Sequence, residues 1–250
     1  MVVLRTMMEI EKMKRPNRIV AEILAELKEL CRPGKSTLAL EERSRELVAK
    51  FKVQPAFHQY RGYPDYLCAS VNQEVVHGIP SPEKILRQGD IISLDFGVID
   101  QGFYGDAALT VEVGKVSPQI KKLVEVASES LFRAIGQCRP GNHLSDIAQA
   151  VQTWVEANGF SVVRDFVGHG IGTNLHEDPQ VPNFGIPKPN LRLREGMVLA
   201  LEPMVNLGTW KVKTLDDGWT VVTEDGKPSA HFEHTVAITN NGPLVLSQVN

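Results

Sequence analysis

The sequence predicts an α+β domain made of two similar halves, with a sheet on one side and helices on the other. The first observation is a repeat: Cys31–Gly34 (CRPG) recurs as Cys138–Gly141, 107 positions later. The second is that Leu86–Gly89 (LRQG) recurs as Leu193–Gly196 (LREG) at the same offset. The third is the surrounding pattern, because each CRPG lies between two amphipathic helical stretches and each LRQG-like segment precedes an apolar, strand-like run.

The two halves span about 9–113 and 117–240, and no Ser/Gly-rich linker separates them. We therefore expect residues 1–250 to form a single domain, in which pseudo-twofold-related halves share one core. Duplicated halves place a functional site naturally at their junction.

The helices are predicted from apolar residues that recur at spacings of three and four. In the first half they cover about 9–31 and 36–51. In the second half, Ser117 and Pro118 have the residue types of an N-cap and a first helical position. The apolar positions of the last two helices are Ile120, Leu123, Val124, Ala127 and Leu131, and then Leu144, Ile147, Val151 and Val155.

The strands are predicted from apolar and alternating runs. Ile91–Val113 reads as two antiparallel strands joined by a tight turn. Further strand-like runs follow at Met197–Leu207 and His231–Thr239. Between these two runs, Leu207–Pro228 reads as an inserted hairpin that contains Trp219.

The bulk composition excludes several classes of protein. A chain of 250 residues with 42% hydrophobic content can bury a sizeable core. Its net charge of −3 argues against the basic surface that binding to nucleic acids requires. Charges interrupt every short apolar run near the N-terminus, so neither a secretory signal nor a membrane span is expected. Three scattered cysteines without CxxC spacing favour a reducing compartment, and we expect a cytoplasmic protein.

The first hairpin predicts a cation site. With a turn at Asp100 and Gln101, just before Gly102, Asp95 would lie directly opposite Asp106 on one face of the hairpin. Two opposed carboxylates repel each other, and a bound cation would remove that conflict. The alternative is that another turn length shifts the register and leaves both carboxylates in solvent.

The repeat and a glycine-rich segment add three candidate ligands. The position of Asp95 in the first half corresponds to Glu202 in the second, and Glu233 lies in the next strand-like run. His169 lies in the segment VGHGIG, whose glycines allow the backbone to approach a ligand closely. Asp95, Asp106, Glu202 and Glu233 together carry four negative charges, which two divalent ions would balance. Oxygen-rich ligation with one nitrogen suits manganese, iron, cobalt or zinc, and the residues leave that choice open.

Five longer motifs make the chain resemble the type I methionine aminopeptidases, of the larger group that includes aminopeptidase P, prolidase and creatinase. They are Asn72–Pro80 (NQEVVHGIP), Ser93–Asp106 (SLDFGVIDQGFYGD), Gly168–Pro179 (GHGIGTNLHEDP), Leu201–Met204 (LEPM) and Phe232–Val236 (FEHTV). The resemblance covers essentially the whole chain. It implies the pita-bread fold, a curved antiparallel sheet covered by helices, and an enzyme that hydrolyses the first peptide bond after an N-terminal methionine when the second residue is small.

The resemblance also implies two divalent ions, chosen among cobalt, manganese, iron, zinc and nickel. Asp95 would bind one ion through both of its oxygens. Asp106 and Glu233 would bridge the two ions, and His169 and Glu202 would complete the second site. Glu202 would in addition act as the general base.

The same resemblance implies how the substrate is held. His77 and His176 would contact the scissile amide and the developing oxyanion. The residues that match the methionine side-chain pocket are Tyr60, Tyr63, Cys68, His77 and Trp219. Without the resemblance, the simplest interpretation of these aromatic residues is ordinary packing.

Two further details concern the surroundings of the site. The family often binds a monovalent cation at positions that match Asn72, Glu74 and Ser229. Leu175 stands where some relatives have phenylalanine, and His231 stands where glutamine is common. Because His231 lies two residues before the last proposed ligand in a strand-like run, it either faces the metals or lies on the surface.

The implied partners are nascent polypeptides that begin with methionine, with a transient contact to the ribosome. We expect a monomer that uses neither nucleic acid nor a membrane. A peptidase for X-Pro bonds is the first rival, but such relatives usually carry an N-terminal domain, and here the repeated unit begins within about the first 10 residues. A binding module without activity is the second rival, but such relatives lose ligands that are all present here.

Overall fold

A computed structural model describes residues 1–185 and 190–248 of the chain. The four α-helices are α1 (Met7–Leu30), α2 (Thr37–Phe51), α3 (Pro118–Gln137) and α4 (Leu144–Ala157), and a 3₁₀ turn covers Tyr60–Gly62. The first eight strands are β1 (Gln54–Pro55), β2 (Leu67–Val71), β3 (Glu74–Val76), β4 (Ile91–Asp100), β5 (Phe103–Glu112), β6 (Ser161–Val162), β7 (Gly168–Gly170) and β8 (Glu177–Val181). The remaining strands are β9 (Val198–Leu201), β10 (Met204–Asn206), β11 (Val212–Thr214), β12 (Val221–Thr223), β13 (Ser229–His231), β14 (Glu233–Thr239) and β15 (Gly242–Val245).

The helix ends follow from their capping residues. Helix α1 begins two residues before the predicted start because Thr6 and Glu9 form a capping box, in which the Glu9 carboxylate accepts from the Thr6 amide at 2.7 Å. At the start of α3, the Ser117 hydroxyl accepts a hydrogen bond from the Ile120 amide at 3.3 Å, and Pro118 is the first helical residue. This cap was predicted from the sequence.

The repeat has a direct counterpart in the hydrogen bonds of the two halves. The Gly34 amide donates to the Leu86 carbonyl at 2.8 Å, and the Gly141 amide donates to the Leu193 carbonyl at 3.0 Å. Both glycines have positive φ, +90° and +97°, which a residue with a side chain rarely adopts. The two repeated segments therefore contact each other within each half, and the same backbone geometry recurs 107 residues later.

A curved, nine-stranded antiparallel sheet forms the centre of the fold. Seven strands lie in the order β1, β4, β5, β14, β9, β7, β8, while β2 also pairs with β4 and β15 also pairs with β14. Strand β14 pairs with β5 of the first half on one side and with β9 of the second half on the other. Hydrogen bonding is therefore continuous across the two halves, as the predicted α+β, pita-bread class requires.

Each half contributes its own helices and apolar cluster. In the first half, α1 packs on β4 and β5, and Val20, Leu40 and Leu94 are fully buried in one cluster. In the second half, α3 packs on α4, and Leu123 and Val151 are fully buried in the corresponding cluster. Within the described residues no helix is both long and apolar enough to span a bilayer.

The register predicted for the first hairpin was wrong by two residues. The turn lies at Gln101 and Gly102, both with positive φ, so Asp95 pairs with Ala108 and Asp106 pairs with Gly97. Glycine tolerates this backbone conformation, and a two-residue turn of this kind matches the twist of the strands. Because side chains alternate with a period of two, the shift keeps both aspartates on the same face.

The inserted hairpin was predicted correctly. Strands β11 and β12 pair antiparallel between Val212 and Thr223, and β12 pairs in turn with β3 of the first half. The inserted hairpin is therefore paired with β3, which ends one residue before His77. The ring of Trp219 lies close to the ring of His77.

Candidate metal centre and its cavity

The five proposed metal ligands lie on five neighbouring strands of the large sheet. In sheet order they are Asp95 on β4, Asp106 on β5, Glu233 on β14, Glu202 directly after β9 and His169 on β7. Residues that are as far apart as 138 positions in the chain are thereby brought to the same region of the sheet.

Small side chains separate these ligands within the sheet. Ala108 of β5 pairs with Asp95 on one side and with Glu233 on the other. Ala200 of β9 pairs with His169. A methyl group at these positions leaves space in front of the sheet, where carboxylates from adjacent strands approach one another.

The ligand atoms are close enough for a shared ion. One ligand atom from each of Asp106, His169 and Glu233 lies within 4.8 Å of the other two. The Nε2 atom of His169 is also 3.5 Å from a Glu202 oxygen and 3.9 Å from an Asp106 oxygen. Asp95 lines the same cavity as these four residues.

Burial opposes the negative charge of all four carboxyl groups. It raises the pKa of Asp95 from 3.8 to about 7. The pKa of Asp106 is raised well above its ordinary value, first by burial and then by the charges of Asp95 and Glu202. The pKa values of Glu202 and Glu233 rise for the same two reasons, in the same order. The protein thus concentrates negative charge in a place where only cations or protons can balance it.

The hydrogen bonding of the carboxylates fits divalent ions. One buried oxygen each of Asp95, Asp106 and Glu233 has no hydrogen-bond partner among the described residues. Buried polar atoms are nearly always satisfied in native proteins, so these unpartnered carboxylate oxygens indicate a cation site. Carboxylate oxygens with one imidazole form the donor set that divalent transition metals accept.

His169 is held in the form that can bind a metal. Its Nδ1 atom lies 2.9 Å from the carbonyl oxygen of Gly170. Because a carbonyl only accepts, Nδ1 carries the ring proton, and Nε2 presents its lone pair to the carboxylates. Burial, followed by the charge of His176, lowers the pKa of His169 to about 3, so the ring is neutral at physiological pH.

The cluster opens into a cavity of about 360 Å³. All of the residues predicted for catalysis and for the methionine pocket line it: Tyr60, Tyr63, Cys68, His77, His176 and Trp219. The rings of His169 and His176 are 4.3 Å apart between centroids. The ring of Trp219 is nearly perpendicular to the rings of Tyr63 and His77, with centroids 5.2 and 6.2 Å apart.

His77 is placed by an unusual backbone conformation. It follows β3 with a φ of +58°, which a residue with a side chain seldom adopts. Its ring packs edge-on against Phe166 at 5.6 Å and against Trp219. Such local strain is frequent where a side chain must point into a functional site.

Several residues that line the cavity were not predicted from the sequence. Phe166 contacts His77, and Gln180 pairs with His169 between β7 and β8. Phe166 lies three residues before His169, so an aromatic residue so close to the glycine-rich segment was the available signal. Nothing local distinguished Gln180, because its position depends on the pairing of two strands.

The residues proposed for a monovalent cation also lie together. The Ser229 amide donates to the Asn72 carbonyl at 2.8 Å. The side chain of Asn72 bonds to Asp90 and to the Ile91 amide, and Glu74 forms an ion pair with Lys84 at 2.6 Å. The side-chain oxygens of Asn72 and Glu74 thus already have protein partners.

His231 is buried, so the surface alternative was wrong. The residue is 1% exposed at the end of β13, and neither ring nitrogen has a hydrogen-bond partner among the described residues. Burial, followed by the charge of His77, lowers its pKa to about 3. The ring is therefore a buried, neutral imidazole.

The fold and the cluster together define a class, the metal-dependent hydrolases of the pita-bread fold. Residues 11–240 match the model of metallopeptidase family M24, and the chain belongs to this family. Divalent metal ions are the cofactors that the family implies.

Within this family, the chain is similar over its full length to methionine aminopeptidases. The methionine aminopeptidase of Clostridium perfringens is 51% identical over 249 residues, with 100% of both chains covered. The crystal structure of methionine aminopeptidase from Thermotoga maritima has a TM-score of 0.97 and 48% identity, again with 100% of both chains covered. Prolidase from Pyrococcus horikoshii, at 21% identity and a TM-score of 0.80, shares the fold; the alignment covers 99% of this chain and 64% of the prolidase.

Proposed function

We propose that the protein removes N-terminal methionine from proteins and peptides, using two divalent metal ions, when the second residue is small. The observation that carries the proposal is that five candidate ligands and an aromatic pocket share one cavity of about 360 Å³. The methionine aminopeptidases at about half identity support the same reaction. The ions would be cobalt, manganese, iron, zinc or nickel.

When bound, the ions would supply Lewis acidity, which lowers the pKa of water and polarises the scissile carbonyl. Asp95, Asp106, His169, Glu202 and Glu233 would hold them. Glu202, whose pKa is raised by burial, is suited to take a proton from the attacking water and to pass it to the leaving amine. As the C–N bond breaks, that proton stays with the new N-terminus, and the water oxygen remains on the methionine carboxylate.

The imidazoles of His77 and His176 would bind the reacting amide. Burial lowers the pKa of each ring to about 4, so both rings are neutral at physiological pH. A neutral imidazole offers one N–H donor, which can stabilise an oxygen that becomes negative in the transition state. Both rings line the cavity together with the candidate metal ligands, where that charge would develop.

The pocket suits the methionine side chain by shape and polarisability. Tyr63 and Cys68 are buried in the wall, and Trp219 packs against Tyr63 with the two rings nearly perpendicular. An unbranched thioether can follow such a narrow apolar space, and sulfur packs favourably against aromatic edges. A β-branched or charged side chain would fit poorly.

Selection at the second residue would work by exclusion. A hydrophobic pocket gains only about 1–3 kcal/mol per methylene, whereas a clash beside fixed groups displaces the scissile carbonyl. His77 and His176 line the cavity beside the carboxylates, so a bulky second side chain would push against an imidazole. Because a displacement of about 1 Å can cost about 100-fold in rate, the penalty should appear mainly in kcat.

Four peptides test both parts of this specificity. Met-Ala-Ser should be cleaved rapidly, Met-Val-Ser and Met-Leu-Ser progressively more slowly, and Leu-Ala-Ser poorly. Rapid release from Met-Leu-Ser would contradict the exclusion argument, and efficient cleavage of Leu-Ala-Ser would contradict the methionine pocket. Assays with Met-Ala-Ser after chelation, followed by addition of single metals, test the metal requirement and rank the candidate ions.

The proposal extends to the cellular setting and the domain. The partners would be nascent polypeptides that begin with methionine, with transient contact to the ribosome, and the protein would act as a cytoplasmic monomer. We propose that residues 1–250 are one catalytic domain, which the pairing of β14 with both halves supports. A monovalent cation near Asn72, Glu74 and Ser229 would be bound through main-chain and side-chain oxygens.

A further inference from the structure

Tyr60 makes a polar contact that its place in an apolar pocket does not require. Its hydroxyl lies 2.8 Å from Nδ1 of His176, which is 116 residues away in the chain. The two rings are also stacked, with centroids 5.3 Å apart and an angle of 25° between their planes. Tyr60 therefore contacts the imidazole both through its ring and through its hydroxyl.

The contact selects one tautomer of His176. A neutral imidazole has one protonated nitrogen and one nitrogen that accepts. The Tyr60 hydroxyl has no other hydrogen-bond partner within the described part of the chain, so its proton is used only if it donates to Nδ1. The ring proton of His176 then resides on Nε2.

The position of Nε2 gives this tautomer a consequence. Nδ1 is occupied by Tyr60, and Nε2 has no hydrogen-bond partner within residues 1–185 and 190–248. His176 lines the cavity, and its ring lies against His169. A proton on Nε2 makes this free nitrogen a donor toward the cavity, whereas a proton on Nδ1 would make it an acceptor that repels an oxyanion.

We propose that Tyr60 is a positioning residue, whose hydroxyl holds the proton of His176 on Nε2 so that this nitrogen can donate to the reacting carbonyl oxygen. The part that concerns the carbonyl rests on the proposed function, while the tautomer does not. Tyr60 thus contributes to the rate as well as to the wall of the pocket.

The tautomer can be measured without turnover. In protein labelled with ¹⁵N and loaded with diamagnetic zinc, two-bond ¹H–¹⁵N correlation spectra distinguish a protonated from an unprotonated ring nitrogen. We expect the wild-type spectrum to show His176 protonated at Nε2. In Tyr60→Phe, which keeps the stacked ring and loses only the hydroxyl, the Nδ1-protonated form should become populated. A wild-type proton on Nδ1, or an unchanged spectrum in the variant, would overturn the inference.

Kinetics test the consequence for the reaction. With Met-Ala-Ser, Tyr60→Phe should lower kcat about two- to tenfold, the range that one lost hydrogen bond accounts for, while KM changes less than about twofold. A change in KM alone would mean that Tyr60 only lines the pocket. A shifted tautomer with unchanged kcat would mean that the tautomer of His176 does not affect the rate, and it would overturn the role of Tyr60 in the reaction. If wild-type protein fails to cleave Met-Ala-Ser, the proposed function fails, and the spectra still decide the tautomer.

Two other tyrosines provide matched controls. Tyr63→Phe removes a hydroxyl that donates to the carbonyls of Leu67 and Gly78, at 3.0 and 3.2 Å, and should leave the His176 signals in place. Tyr66→Phe removes the hydroxyl from a ring that packs against Arg45 and His58, and it should leave both the spectra and the kinetics unchanged. A loss of the Nε2 proton in either control would show that the tautomer responds to general disturbance.

Discussion

At the scale of single residues, the main physical feature is a set of carboxylates buried against their electrostatic preference. Asp106 and Glu233 are 4% and 3% exposed, and each has a buried oxygen without a partner in the described chain. Evolution would remove such a cluster from a core that served stability alone, because buried like charges oppose folding. The cluster is therefore explained by what it binds.

Removal of one carboxylate should uncouple metal binding from folding. We expect Asp106→Asn and Glu233→Gln each to lower turnover more than about 100-fold and to weaken metal binding, since two dications would face three negative charges. The metal-free variants should remain folded and melt at or above the wild-type temperature, because one buried charge is gone. Metal content, turnover and thermal melting measure these effects.

Glu125→Gln is a suitable control for that prediction. Glu125 is an exposed carboxylate on α3, 4.0 Å from the ammonium group of Lys121, and it does not line the cavity. Turnover close to wild type in Asp106→Asn or Glu233→Gln, with metal content unchanged, would contradict the dinuclear assignment.

His231 should influence catalysis through hydrogen bonding rather than through its own charge. Its ring is neutral above about pH 3, and both ring nitrogens need a partner such as an internal water. We expect His231→Gln to shift the pH profile of kcat/KM, because an amide offers donor and acceptor at different positions to the same neighbours. His58→Gln changes an exposed imidazole and should leave the profile as it is; an identical profile in His231→Gln would refute the coupling.

At the scale of structural elements, the N-terminal segment braces the loop that carries His176. The Arg5 guanidinium binds both carboxylate oxygens of Glu177, at 2.5 and 2.6 Å, and the two side chains are 6% and 8% exposed. Glu177 also accepts from the backbone amides of Thr173 and Asn174, at 2.9 and 3.0 Å. The loop that leads into β8 is thus tied to the first residues of the chain.

Loss of this buried pair should weaken both the fold and the site. We expect Arg5→Ala to lower the free energy of unfolding by about 3–5 kcal/mol, because Glu177 would remain buried without its partner. Arg18→Ala, which removes an exposed pair with Glu22, should cost less than about 1 kcal/mol. Denaturant unfolding of the metal-free proteins measures both, and equal costs would disprove the bracing role.

At the scale of the whole molecule, the buried cluster couples stability to pH and to metal. Asp95 has a folded pKa of about 7 against an ordinary value of 3.8, so the folded metal-free protein holds protons that the unfolded chain has lost. For such raised acids, stability is present at low pH and is lost as pH rises through the folded pKa. Buried histidines act oppositely: His169, with its pKa lowered from 6.5 to about 3, costs stability as pH falls below 6.5.

The two effects separate as pH rises above 6.5, the ordinary pKa of histidine, because the histidines then become neutral in the unfolded chain as well. We expect metal-free protein to lose stability as pH rises from 6.5 through about 7, because folded Asp95 still holds a proton there that the unfolded chain has lost, and the raised pKa values of the other three carboxyl groups act in the same direction. Saturating metal should reverse the trend, since it binds the ionised ligands of the folded protein only. Denaturant unfolding at three pH values, with chelator or with metal, measures the slopes. A flat metal-free profile would refute the raised pKa values, and Asp106→Asn should show a shallower slope.

Much of this protein was determined by local sequence. Turn glycines such as Gly34 and Gly141, the cap at Ser117 and the spacing of apolar residues predicted the helices and the duplicated halves, because these signals act between near neighbours in the chain. The hairpin, the repeat and the glycine-rich segment predicted the candidate ligands, and the resemblance carried by five motifs predicted the family, since residue types and their spacing can be read from the sequence alone. The alternation of side chains also placed both hairpin aspartates on one face, even though their register was wrong.

Only the tertiary structure decided which distant groups meet. The order of strands brought five candidate ligands together, the backbone at Gln101 and Gly102 set the register of the hairpin, and packing placed the Tyr60 hydroxyl on His176. The burial of His231 and the pairing of Arg5 with Glu177 were likewise decided by the tertiary structure. The physical reason is that pattern and turn chemistry act over a few residues, whereas contacts across 100 or more residues follow from how whole elements pack.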